Sequence, residues 1–82
     1  MFSVIERAFD FTERNEPQGM FLGASEKPTG VSDCLVIHFR SSLSNPYHRA
    51  ILLFDTSSAD SYKLYYRKFR SSWGDWKTVS TT

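Results

Sequence analysis

Cysteine is all but missing from this chain. Cys34 stands alone among 82 residues, so no internal disulfide can form, and one thiol with two scattered histidines cannot build a closed zinc site. Glycine is also sparse. Gly19, Gly23, Gly30 and Gly74 stand apart and no glycine–lysine–hydroxyl run exists, which excludes a phosphate-cradling loop. No apolar run approaches the ~20 residues that a membrane helix needs, so the chain is not expected to enter a bilayer. Glu6, Arg7 and Asp10 interrupt the first ten residues, so no signal peptide is expected there. Neither sign of charge dominates: the net charge is +1, which gives no global attraction to nucleic acid or to a membrane surface.

Catalytic arrangements are missing too. Cys34 and His38 lie four residues apart on what reads as one strand, hence about 13 Å apart on the same face, beyond the hydrogen-bond reach that thiol activation requires. Cys34 is therefore read as a small buried apolar residue. His38 and His48 have no nearby carboxylate motif and are read as ordinary sheet or surface histidines rather than metal ligands. The acids lie mostly in the first half and in turns, with no cleft to oppose two of them as glycoside hydrolysis demands. No enzyme activity, cofactor or metal is expected.

What is present in quantity is aromatic. Seven Phe, four Tyr and two Trp make up 16% of the chain, and large aromatics anchor cores and interfaces. A chain this short buries only roughly 60–65% of its unfolded surface, so its solitary stability is marginal, and without disulfide or metal the remaining supplement is association. The charges are unevenly spread: residues 1–39 carry three basic and six acidic side chains (−3), residues 40–82 seven basic and three acidic (+4).

Along the chain, Phe2, Ile5, Ala8 and Phe9 fall at helical spacing behind a Ser3/Glu6 capping pair, which predicts a short N-terminal helix or an extended arm. From there the pattern is that of strands. Met20–Ala24 is a short apolar run, and Cys34–Arg40 alternates Leu35, Ile37 and Phe39 against His38 and Arg40. Arg49–Phe54 is apolar on both alternating faces, Tyr62–Phe69 follows, and Trp76–Val79 closes the chain. The expected fold is mostly β, with α+β kept open: one domain over residues 1–82, built on a small antiparallel sheet of four to five short strands.

The most informative stretch runs from Leu64 to Val79. Tyr65, Arg67 and Phe69 fall on one face of a strand as an aromatic–cation–aromatic ladder. Trp73 and Trp76 flank a tight Gly74–Asp75 turn. Trp76 is read as bulky cover for the core, and Trp73 as the more exposed indole.

Aromatic–x–Arg, a polar turn, then Trp–Gly–x–Trp–Lys (Tyr65, Arg67, Ser71, Ser72, Trp73, Gly74, Asp75, Trp76, Lys77) resembles the end of pyocin-knob modules in the tail fibres and tail spikes of phages and phage-derived bacteriocins. Phe9–Asp10–Phe11, the Pro17–Phe21 segment, and Pro28 with Gly30 resemble the opening of that family, so the likeness spans residues 9–80. Phe69 and Arg70 lengthen the strand before the turn, and Asn45–Arg49 matches no motif of the family. The resemblance implies a β-sheet knob, whole or as the C-terminal piece of a longer fibre protein. Its framework would be Tyr65, Arg67, Gly74 and Trp76. It also implies a homotrimer, a place at the tip of the virion's fibre or spike after synthesis in the host cytoplasm, and a role in host attachment through a cell-surface glycan or protein receptor. No nucleic acid partner and no membrane insertion are implied. Two competing readings remain: a purely structural trimerisation or folding module, and a carbohydrate-degrading or esterase accessory unit for which no site is visible.

For the receptor, the residues point to a loop. Within Asn45–Arg49 the chain offers a carboxamide, a proline, and the side chains of Tyr47, His48 and Arg49, an inventory suited to stacking on a sugar ring and fixing its orientation. Arg70 and Trp73 join that surface if both turns lie at one end of the sheet, as alternate connections of an antiparallel meander do.

Overall fold

Strand alternation sets the architecture. The computed structural model describes residues 2–40, 48–60 and 62–79. They form one sheet of six strands in chain order: β1 (Ser3–Ile5), β2 (Gly19–Phe21), β3 (Cys34–Arg40), β4 (Arg49–Asp55), β5 (Leu64–Phe69) and β6 (Lys77–Val79). The strands β2 to β6 are an antiparallel meander, and β1 joins β2 in parallel. The fold is thus mostly β, as the sequence indicates, with one strand more than expected and a mixed edge.

The N-terminal helix is not formed; among the described residues there is no helix. Local side chains explain why. Asp10 accepts hydrogen bonds from both the amide and the hydroxyl of Thr12, at 2.9 and 2.6 Å. The Glu16 carboxylate takes the Asp10 amide at 2.9 Å. Side chains that satisfy backbone donors this way compete with helical turns. Extended backbone also puts Phe9 and Phe11, two residues apart, on the same side, where a helix would separate them. The arm pairs instead with the stretch after β2: Phe9 bridges Ala24, and Leu22 donates to the Arg7 carbonyl at 3.1 Å. Gly19 permits that parallel contact. Its φ is +155°, and a Cβ there would lie 2.5 Å from the Ser3 carbonyl oxygen.

The register makes two unlike faces. On the inner face Phe21, Val36, Leu53 and Tyr65 form one row, with Cys34, His38, Ile51 and Phe69 beside it, all buried. Phe9, Phe11, Ala24 and Val31 close over them, with Ile5, Trp73 and Trp76 packed at the margin. Phe9 is the centre of this cover. It meets the Phe21 ring at 5.1 Å and His38 at 4.7 Å, while Phe11 meets Trp73 at 5.0 Å and Trp76 at 5.8 Å. Each such buried aromatic contributes on the order of 1.5–3 kcal/mol. Glu16 pins the arm down. Its buried carboxylate receives the Arg7 guanidinium in a two-pronged contact, at 2.7 and 2.5 Å, as well as the Asp10 amide. Burial alone would push the Glu16 carboxyl up, but Arg7 and the Asp10 amide hold it below the usual value.

The outer face has no such cover. Met20, Ile37, Leu52 and Tyr66 make one row, and Leu35, Phe54, Leu64 and Val79 another. All of them are only half-buried or exposed. Val4 is 63% exposed, Phe39 42% and Phe54 38%, so contiguous apolar surface faces outward across the sheet.

His38, sited on the inner face, is fully buried, and its Nδ1 lies 2.8 Å from the Pro17 carbonyl oxygen, which accepts a hydrogen bond from it. That leaves Nε2 without a partner against the aromatic cover, an environment for a neutral ring. Burial is the main reason its pKa falls from 6.5 to about 4. A group whose folded pKa is depressed contributes stability that is complete above its unfolded pKa and is lost as pH falls through the folded one. The shift therefore predicts a loss on the order of 3 kcal/mol between pH 6.5 and 4. Thermal melts over that window should show a falling Tm, and His38→Gln should flatten the slope; an unchanged Tm for the wild-type chain would contradict a buried neutral His38.

Candidate functional site

Antiparallel alternation brings the β3–β4 and β5–β6 connections to one end of the sheet, where Arg40, Arg49 and Phe69 are cross-strand partners. The next row is Phe39, Ala50 and Lys68, on the outer face. Ala50 is the small member of that row, and a depression of about 380 Å³ opens there, lined by Phe39, Arg40, His48, Arg49, Ala50, Lys68, Phe69 and Arg70. A second, of about 270 Å³, is lined by Tyr66, Arg67, Lys68, Gly74, Asp75 and Lys77. Lys68 borders both.

Of the residues expected to meet a receptor, His48, Arg49 and Arg70 converge on the first depression. Tyr47 lies outside the described residues. His48 and Arg70 are exposed, whereas Arg49 is only 4% exposed. The Arg49 guanidinium turns to the inner face, 4.4 Å from the Phe69 ring and 4.9 Å from Trp73, and donates to the carbonyls of Glu13 and Arg14 at 3.3 and 3.5 Å. Burial lowers its pKa, and the neighbouring Arg40 and Arg14 charges add to that. Arg49 therefore supplies charge beneath the depression and holds the arm on the sheet, rather than presenting its head to a ligand.

Trp73 also differs from its expected place. It is half-buried, its Nε1–H donates to the Phe11 carbonyl at 3.1 Å, and it packs edge-on against Phe11 and Phe69 at 5.0 and 5.2 Å. It covers the core as Trp76 does, so the division into one surface and one core indole does not hold. The reason is the turn. Ser71 adopts φ +69°, Phe69 and Trp73 form a bridge, and the Gly74 amide donates to the Lys68 carbonyl at 3.0 Å, folding the indole back under the strand end.

The four framework positions act together. The Arg67 guanidinium stacks 4.9 Å from Phe11 and 5.0 Å from Trp76, its Nε donates to the Gly74 carbonyl at 2.7 Å, and its Nη1 pairs with Glu26 at 2.9 Å. Tyr65 is buried beside Trp76, with ring centroids 6.4 Å apart. The expected Tyr65–Arg67–Phe69 ladder is not the stack that forms: Arg67 lies over Phe11, Trp73 and Trp76, and the cation over Phe69 is Arg49.

The site is electropositive. Among the eight residues lining the first depression four are Lys or Arg and none is acidic. Arg49, Lys68 and Arg70 have no carboxylate partner among the described residues. No group of three or more His, Cys, Asp or Glu among the described residues is placed to hold a metal ion. Cys34 is buried on the inner face, and burial raises its thiol pKa, which makes it inert. Comparison with protein-family models, with curated proteins and with solved structures finds no match for this chain. None of these comparisons supports the likeness to tail-fibre knobs, which stands on the Tyr65–Lys77 sequence motif alone.

Trp73→Ala should lower unfolding free energy by about 3 kcal/mol, at least as much as Trp76→Ala, since it removes core cover and a hydrogen bond together. Lys68→Ala, on the exposed side, should stay within about 0.5 kcal/mol. Urea denaturation of the three variants checks this ordering; a harmless Trp73→Ala would return that indole to the surface.

Proposed function

We propose that this chain is a non-catalytic attachment module of the tail-fibre or tail-spike knob kind, which holds a host-cell surface glycan at the end of its sheet and associates as a homotrimer. The observation that carries the attachment reading is the convergence of His48 and Arg70 on one depression, with Arg49 beneath it. These residues come from separate connections and meet only because of the meander. A planar, exposed wall, Phe39, stands beside hydrogen-bond donors, which is the combination sugar recognition uses. Loops held by a rigid sheet are also where binding residues concentrate.

A second reading, a purely structural association module, is favoured by the outer face. Its two apolar rows lie farther along the strands than the Phe39–Ala50–Lys68 row, so a neighbouring copy could cover them and leave the depression at the rim. Association and attachment are therefore compatible on one sheet.

A glycan array probed with the 82-residue chain separates the two. Attachment predicts retention on a subset of bacterial surface polysaccharides, abolished in a His48→Ala/Arg70→Ala double variant that still folds. A folded wild-type chain that binds no glycan, yet self-associates, would leave the structural module as the function.

A further inference from the structure

We infer that the glycan is acidic, and that a chain of sugars bearing carboxylate or phosphate groups lies across both depressions with Lys68 between them; this rests on the attachment reading above. The two depressions are neighbours, because Lys68 lines each, and together they cross from β3 to β6, a span of about 14 Å at ordinary strand spacing. That length suits a short oligosaccharide rather than a single ion.

The charge along this path is one-sided. Lys68, Arg70 and Lys77 are exposed, and Asp75 is the one acid that lines either depression. Arg49 and Arg67 add positive charge from beneath. Arg67 is already engaged by Glu26 and the Gly74 carbonyl, but Arg49 is held by carbonyl oxygens and aromatic faces, so its full charge persists under the floor. A neutral sugar would gain nothing from this field; an anionic one gains at each cation it approaches. Phe39 and Ala50 in one depression and Tyr66 in the other offer apolar surface for the ring carbons between the charged groups.

A nucleic acid would also be anionic, but the observations do not favour it. Binding to a phosphate backbone commonly draws on some 6–10 phosphate contacts. Here the accessible cations are few, and the net charge of the whole chain is only +1.

Isothermal titration with three oligosaccharides of equal length tests the inference: oligogalacturonate, the same chain with its carboxyls reduced, and a phosphorylated maltooligosaccharide. Single-stranded DNA and inorganic phosphate serve as further probes. The expected result is binding of one or both acidic chains, undetectable binding of the reduced chain, and weakening with salt. Lys68→Glu should lower affinity about tenfold or more, and Arg70→Ala less, with both variants folded by circular dichroism. Equal binding of the reduced and acidic chains would overturn the charge assignment while leaving the attachment reading intact. Binding of array glycans but of neither acidic probe would do the same. No binding to any saccharide on the array or in titration would overturn both. DNA bound more tightly than either acidic saccharide, or inorganic phosphate bound as tightly, would overturn the assignment of a sugar chain.

Discussion

A single sheet has two faces, and this chain folds enough polypeptide back to cover one. Everything else in the structure follows from how that is done. The cover is irregular backbone, the arm through Phe9 and Phe11, with the β5–β6 turn closing beside it. Irregular cover carries polar backbone into the interior, and each donor or acceptor then needs a partner. Glu16 answers that for the arm by taking the Asp10 amide, and Trp73 answers it at the other margin by donating to the Phe11 carbonyl. Arg67 joins the turn to the sheet through the Gly74 carbonyl. Remove these ties and the aromatic layer has no fixed seat.

Cations are used inside this protein as packing material. Arg40 and Arg49 are direct cross-strand partners, an arrangement that repels in an ordinary sheet. Here Arg49 is sandwiched against Phe69 and Trp73 and donates to arm carbonyls, and the Arg40 guanidinium donates to the Glu16 carbonyl at 3.5 Å. Aromatic faces and carbonyl dipoles can hold a guanidinium without neutralising it. The core of this end of the sheet therefore remains positively charged, and that charge is felt in the depressions above it.

Much of the sheet was legible because β3, β4 and β5 carry strong alternation bounded by turn residues. The observed Cys34–Arg40 strand coincides with its sequence reading, β4 to β6 differ by a residue or two at their ends, and β2 stops three residues short of the apolar run through Ala24. The arm was legible only as one of two alternatives, a short helix or an extended segment. Phe2, Ile5, Ala8 and Phe9 mimic a helical stripe, and only the tertiary bonds of Asp10, Glu16 and Ala24 decide for extended backbone. Arg49 was read by its neighbourhood in the loop, although β4 already begins there and alternation puts it inward with Ile51 and Leu53. That signal was available: odd-numbered β4 residues face in. Trp73 was not decidable from sequence, since its direction depends on the left-handed conformation at Ser71. The convergence of two turns at one end, by contrast, followed from counting connections.

The central claim is that the outer face, with Ile37, Leu52 and Tyr66 across its middle, is a surface for another copy rather than for water. Light scattering at micromolar concentration, on the wild-type chain and on Leu52→Glu, tests it most directly. The account predicts a wild-type mass near three times 9.5 kDa and a folded Leu52→Glu monomer. A wild-type chain that stays at 9.5 kDa would contradict it.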